Sequence, residues 1–223
     1  MNRRTFDILR HEFRALRTRV LNALNPAHHA RVAHLRRQAG LRLNIGSGGR
    51  GLPGWVNIEL KRAGDTTLCL DIRRRLPLKD GSVQWIFIEH VLEHMDFAQD
   101  LPRMLADWRR VMAPGGRVRI IVPDVRKYIE AYLSGDPESW RALAWNPDEV
   151  ARGEVMPMHI LNHVFHQEGE HLFGCDFDLL AFALKRAGFS AVEQMDFQRS
   201  GDAALAIDRP EHKDYSLYVE AVR

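Results

Sequence analysis

The stretch LRLNIGSGGRG at positions 41–51 constrains this chain more than any other. Leu41, Leu43 and Ile45 read as a buried strand, and Gly46, Ser47, Gly48, Gly49 and Gly51 follow it with almost no side-chain bulk. A glycine turn directly after a strand lets peptide N–H groups approach a ligand closely, and a helix N-terminus beyond it adds favourable dipoles. Such a chain is built to hold something against its backbone at a strand end.

The pattern downstream extends this. Residues 55–59 and 67–71 read as strands that each end in an acid, Glu59 and Asp71. Residues 83–88 (VQWIFI) and 118–122 are a fourth and a fifth strand, the latter apolar apart from Arg119. A helix is expected to begin at Glu89, and an amphipathic helix over 101–112 stops at Ala113-Pro114-Gly115-Gly116. Continuous apolar strands alternating with helices predict an α/β fold with a parallel sheet covered on both faces. Beyond residue 124 the pattern loosens. Helices are expected over 125–133 and 177–187, the second capped by Asp176 and stopped by Gly188, with strands over 191–197 and 217–222. Residues 140–158 take no assignment, and 198–215 read as a long polar loop.

At 223 residues the chain suits one sizeable domain with additions, and 45% hydrophobic against 27% charged residues excludes disorder and fibre. No apolar run approaches the roughly 20 residues of a membrane span. No secretory pattern is visible either, so the expected location is the cytosol. Cys69 and Cys175, far apart and without metal-type spacing, read as buried free thiols. The net charge of +3 hides an asymmetry: residues 1–40 hold nine arginines against Asp7 and Glu12, so that segment carries +7 and the remainder −4. The basicity belongs to an N-terminal arm, and no nucleic-acid groove is expected in the main domain. In the arm, Phe6, Leu9, Phe13, Leu16, Val20 and Leu24 recur at helical spacing while arginines at 3, 4, 10, 14, 17 and 19 take the other faces. The plain expectation packs the apolar stripe on the domain and leaves the arginines in water. The functional readings, placed on residues 4–24, are a peripheral membrane contact, a homodimer, or another partner. The division is thus an arm over 1–40 and a domain over 41–223, of which 124–175 would cover a substrate.

Residues 46–51, Glu59, Asp71 and Glu89-His90 all fall at the carboxyl ends of strands, where open parallel sheets bind ligands. A carboxylate at the end of the second strand suits the two hydroxyls of a ribose, so Glu59 implies a nucleoside. The glycines also fit G-x-G-x-x-G as Gly46, Gly48 and Gly51. In dinucleotide folds, however, the ribose acid lies about 20 residues beyond that motif, whereas Glu59 follows Gly51 by only eight. That spacing disfavours a pyrophosphate ligand such as NAD.

Five ordered blocks resemble a known family. They are LNIGSG, Gly54-Trp55-Val56-Asn57-Ile58-Glu59, DIRRRLP at 71–77, His90-Val91-Leu92-Glu93-His94, and Arg110-Val111-Met112-Ala113-Pro114-Gly115-Gly116. Together they resemble the class I S-adenosylmethionine-dependent methyltransferases, in particular a small bacterial type 11-like group. Glu170-His171-Leu172-Phe173, Ala187-Gly188-Phe189 and residues 216–221 continue the likeness to the C-terminus. The resemblance implies a Rossmann-like, doubly wound, seven-stranded sheet with its last strand antiparallel, bound to S-adenosyl-L-methionine. Carried over by position, Asn44, Gly46, Ser47 and Gly48 line the methionine part and Glu59 with Leu60 the ribose. Asp71 and Ile72 then meet the adenine, and Glu89 and His90 close the other side. The chain departs from the family pattern at Asn44, where an acid is usual, and at Arg50, where a third glycine is.

Methyl transfer needs alignment and, for an oxygen or nitrogen nucleophile, removal of a proton. Candidates for the catalytic side are His90, His171 and Asp124, the last with a helix-capping alternative and with Tyr128 one turn on. His159 and His163 share a helix face with Glu168 and Glu170 following, the pattern of a metal site, but the expectation adopted is no metal. Glu93 and His94 are expected to support the turn after the fourth strand, and Arg73, Arg74 and Arg75 to form a solvated face. The resulting expectation is transfer of a methyl group to O or N of a polar small-molecule or glycan acceptor. Its rivals are an NAD-dependent oxidoreductase or epimerase and a non-catalytic S-adenosylmethionine-binding protein.

Overall fold

The computed structural model describes residues 3–223, with side chains from Leu9 onward. β1 (Leu41–Ile45), β2 (Val56–Glu59), β3 (Leu68–Cys69), β4 (Val83–Glu89) and β5 (Met112–Pro123) run parallel. β7 (Ser216–Val222) inserts antiparallel between β5 and β6 (Ser190–Met195), giving the order β3-β2-β1-β4-β5-β7-β6. The chain steps outward from β1 to β3, then returns to lay β4 against the other side of β1. Connections from β1 and β4 therefore leave in opposite directions, and a crevice opens at their carboxyl ends.

One face of the central strands forms the main core, where Leu43, Ile45, Ile86, Ile88, Val118 and Ile120 lie in register and fully buried, and the other carries a smaller cluster of Phe87, Ile121 and Tyr218 with Leu205. α3 (Asp100–Val111) supplies Leu101, Met104, Leu105, Trp108 and Val111 to that core at three- and four-residue steps. The helix expected from Glu89 does not form. His90 takes a left-handed φ of 53°, which breaks helical continuity, and only a short 3-10 turn at Leu92–His94 follows.

The stretch without a sequence assignment is helical. α5 (Pro137–Leu143) and α6 (Pro147–Ala151) each start on a proline capped by Asp136 and Asn146, followed by α7 (Pro157–His166). With α4 (Val125–Ser134) they enclose a second small core of Val125, Tyr128, Ala131, Trp140, Leu143, Ile160 and Val164. Tyr128 therefore packs in this core rather than facing a pocket. α8 (Phe177–Arg186) returns to the main core through Leu180 and Leu184.

The polar loop 198–215 has a structural task. Arg119, fully buried on β5, is held by Asp208 (Nε to Oδ1, 2.6 Å) and Glu220 (2.9 Å), and donates to the carbonyls of Arg199 and Asp196. The fully buried charge of this strand is thus the anchor of the loop.

The arm docks the opposite way from the plain expectation. α1 (Arg3–Leu24) turns its polar face inward: Thr18 Oγ1 donates to the Leu60 carbonyl (3.1 Å) and Asn22 Nδ2 to that of Cys69 (2.7 Å), with Ala15 buried one turn before Thr18. From α2 (Pro26–Leu35), Arg31 reaches the Thr67 carbonyl (2.9 Å). These carbonyls lie at or near the ends of the short strands β2 and β3, and polar side chains satisfy them where leucines could not. The apolar stripe is left outward, with Phe13 67% and Leu24 76% exposed, together with Leu9, Leu16 and Val20. The side chains of Phe6 and of arginines 3 and 4, assigned to this helix from the sequence, lie outside the described residues. No described helix is long and apolar enough to cross a membrane.

Candidate active site

The turn after β1 is shaped by steric necessity. Gly46 has φ +70°, and a Cβ there would lie 2.2 Å from Val91 Cγ2, so only glycine fits. The loop beyond is pinned from below. Asn44 Nδ2 donates to Asn57 Oδ1 (2.9 Å) and to the Arg50 carbonyl (3.2 Å), while Asn57 also accepts from the Leu52 N–H and donates to the Leu52 and Asp65 carbonyls. Asn44 is thereby a loop anchor, and Asn57, unremarked as a site residue in the sequence, is its partner. Ser47 Oγ is buried with no hydrogen-bond partner, a polar atom left for a ligand to satisfy.

A cavity of about 450 Å³ opens beside this loop, lined by Gly46, Glu59, Leu60, Asp71 and Ile72 and, further round, by His90, Val91, His94 and Glu170. Glu59 Oε2 accepts from the Gly48 N–H (3.0 Å) and Oε1 from the Leu60 N–H (2.7 Å). A carboxylate offers about four acceptor sites, so capacity remains for two ribose hydroxyls. Ile58, Leu60, Leu70 and Ile72 add apolar wall, as an adenine ring requires. Arg10, His11, Glu12 and Arg14 of α1 border the same cavity, which makes the arm part of the site.

Asp71 lines the cavity but is not a free carboxylate. The Arg73 guanidinium grips it (Nε to Oδ1, 2.9 Å; NH2 to Oδ2, 3.1 Å) and also pairs with Glu12. Burial opposes ionisation of Asp71, but Arg73 outweighs it and holds the carboxyl below its ordinary range. Arg73 is correspondingly not a solvated arginine but the clasp between arm and domain. Glu89 is also taken. It is buried, faces a small recess shared with Asn44, Ser47 and Arg209, and accepts from Arg209 Nε (2.6 Å) and His212 Nδ1 (3.2 Å). Burial raises its pKa, yet His212 and Arg209 pull it down to about 2.

His90 lines the cavity with Nε2 hydrogen-bonded to Ser216 Oγ (2.8 Å) and Nδ1 at an ion-pair distance of 3.2 Å from Glu93 Oε1. Ser216 is buried, so this serine–histidine–acid chain orders the ring and offers no nucleophile. Asp124 lines neither cavity and caps α4 through the Arg126 N–H (3.2 Å), the helix-capping alternative weighed from the sequence. His171 is buried, donates from Nδ1 to the Val164 carbonyl (2.7 Å), and meets the His94 ring edge-on at 5.1 Å. Burial lowers its pKa, so the ring is neutral near pH 7. His159 accepts from the Met156 N–H and His163 stacks on Trp145, so the metal face weighed from the sequence does not assemble. Glu93 and His94, in the turn after β4 as read from the sequence, also meet His171 beside the cavity. The two cysteines are free.

Residues 53–120, from the turn before β2 to within β5, match the family model described as methyltransferase domain. The seven-stranded sheet with its last strand antiparallel is the one the sequence resemblance implied. The chain carries a class I S-adenosylmethionine-dependent methyltransferase domain. S-adenosylmethionine is its cofactor, and the site fits it: Glu59 retains acceptor capacity, Ser47 Oγ lacks a partner, and Leu60 and Ile72 supply apolar wall. The methyltransferase is similar to solved structures of low identity. One is a SAM-dependent methyltransferase from Archaeoglobus fulgidus, 15% identical over 98% of this chain and 99% of that one, TM-score 0.49. Another is an S-adenosylmethionine-dependent methyltransferase from Mesorhizobium loti, 18% identical over 88% and 97%, TM-score 0.47. A third is phosphoethanolamine N-methyltransferase 2 from Haemonchus contortus in complex with S-adenosyl-L-methionine, 12% identical over 87% of this chain and 52% of that one, TM-score 0.46. No curated protein matches the sequence.

Glu59→Ala is expected to weaken S-adenosylhomocysteine binding by about 1.5–3 kcal/mol, the typical worth of hydrogen bonds to a charged group. Isothermal calorimetry measures it, and an unchanged affinity would remove Glu59 from the site.

Proposed function

We propose that this methyltransferase acts on an oxygen or nitrogen atom of a polar small-molecule or glycan acceptor. The observation that supports the reading is one cavity bordered both by Glu59, Leu60 and Ile72 and by His90, His94 and Glu170. The first group suits a nucleoside, and the second is polar and able to recognise an acceptor. When bound, S-adenosylmethionine supplies the methyl group from its sulfonium. The protein's own part is to align the nucleophile and draw off its proton. His90, fixed by Ser216 and Glu93, shapes the acceptor side, and the Glu93, His94 and His171 group beside it is able to take the proton. Residues 124–175 supply the cover, through Gly169, Glu170 and Leu172 at the cavity rim. An NAD-dependent reading gains nothing from this geometry, since the loop leads to a ribose acid only eight residues on. A cytosolic placement fits the two free thiols.

The arm's outward stripe is a docking surface by the same reasoning, flanked by Arg14 and Arg17. Sedimentation with anionic vesicles separates a membrane contact from a homodimer seen by equilibrium ultracentrifugation.

The test is product mass after incubation with S-adenosylmethionine and a panel of amines, sugars and hydroxy acids. His171→Gln should lower kcat about 100-fold or more while cofactor affinity holds. An unaltered kcat on a methylated acceptor removes His171 from the reaction.

A further inference from the structure

Glu93, His94 and His171 place one carboxylate oxygen and two imidazole nitrogens within 4.8 Å of one another. Three independent observations point to a ligand between them. Glu93 is 2% exposed and neither of its oxygens has a hydrogen bond; Oε1 lies 3.2 Å from His90 Nδ1, an ion-pair distance without hydrogen-bond geometry. A buried carboxylate left in that state is costly unless something positive completes it. Both histidines, moreover, are locked in one tautomer. His94 Nδ1 lies 3.1 Å from the Glu170 carbonyl and His171 Nδ1 2.7 Å from that of Val164. A carbonyl only accepts, so each Nδ1 carries the proton and each Nε2 keeps its lone pair. Backbone carbonyls holding Nδ1–H while Nε2 is left bare is the usual support for a metal-bound imidazole. Finally, His94 also lines the main cavity, so an ion here would keep an open side.

We propose that Glu93, His94 and His171 bind a divalent transition-metal ion at the acceptor side of the methyltransferase site. Two imidazoles and one carboxylate form a donor set suited to zinc or iron(II), with vacant positions for solvent or substrate. Ligand atoms about 2.0–2.2 Å from a shared tetrahedral ion stand roughly 3.4 Å apart, so a modest inward movement of the side chains completes the site. The ion's role rests on the reading of the function given above. With the ion bound, the two imidazoles and Glu93 would no longer take the proton themselves; a hydroxyl or amine of the acceptor would coordinate at the open side, lose its proton to solvent more readily, and be held in line for transfer.

The binding test does not depend on that role. The full-length protein is stripped with chelator, dialysed, and titrated with Co²⁺ followed by visible absorption, and with Zn²⁺ in competition. A single ion per chain is expected, with the intense d–d bands of a four- or five-coordinate site. Glu93→Gln and His171→Gln should each weaken binding at least 10-fold and abolish those bands, with circular dichroism confirming the fold. His163→Gln, on the Trp145 side of α7, should leave binding as it was. If one ligand variant does not fold, the other still decides. Absence of binding to the wild type overturns the proposal, as does binding by the ligand variants as tight as that of the wild type, which would mark an adventitious ion at the arm histidines. Metal binding without methylation of any acceptor would instead count against the functional reading alone.

Discussion

Arg119→Met is expected to lower the unfolding free energy by about 3–5 kcal/mol, the range for removing one partner of a buried ion pair, as measured by urea denaturation. Asp208 and Glu220 are themselves buried and would lose their cation, and the Arg199 and Asp196 carbonyls would lose their donor. Glu220 keeps Arg117 at 3.1 Å, so Asp208 bears the larger loss. The effect should spread to the site, because residue 208 is followed by Arg209, which holds Glu89. Arg119→Lys is expected to recover little, since an ammonium cannot reproduce the forked contact with Asp208 while also reaching two carbonyls. A destabilisation below about 1 kcal/mol, the level of an exposed pair, would contradict the assignment of Arg119 as the anchor of loop 198–215.

Gly46→Ala should cost the cofactor-competent loop about 2–5 kcal/mol. Roughly 1–2 kcal/mol comes from placing a Cβ at left-handed φ, and about 1–3 kcal/mol from overpacking against Val91. The two parts can be separated. The double variant Gly46→Ala with Val91→Ala should relieve the steric part and leave the backbone part, so its S-adenosylhomocysteine affinity should fall between those of Gly46→Ala and the wild type. An affinity of Gly46→Ala equal to the wild type's would mean that the turn does not approach the ligand in the way its geometry indicates.

Much of this site is legible in the sequence because the sheet is. Apolar runs at 41–45, 83–88 and 118–122 have no other place to go than the middle of a parallel sheet, and glycine after the first of them marks the crevice. Glu59 is readable for the same reason: it ends the neighbouring strand, and the structure places it on the cavity and on the glycine loop. Acids elsewhere are harder. Asp71 and Glu89 also end strands, but whether such an acid faces a ligand depends on where a cation arrives. The cation of Asp71 is two residues on, while that of Glu89 comes from 120 residues away. The arm docks against the sequence expectation because amphipathicity reports a difference between two faces, not which face docks. Here the docking surface offers unpaired carbonyls, and Thr18 and Asn22 answer them. Nothing local shows that Glu93 and His94 meet His171, because a helical segment whose position no local pattern reveals brings His171 in.

Calorimetric titration of the wild-type protein with S-adenosylhomocysteine, and separately with NAD, is the most direct test of a nucleoside site formed by the glycine turn and Glu59. One molecule of S-adenosylhomocysteine should bind per chain and NAD should give no heat. Binding of NAD without binding of S-adenosylhomocysteine would contradict it.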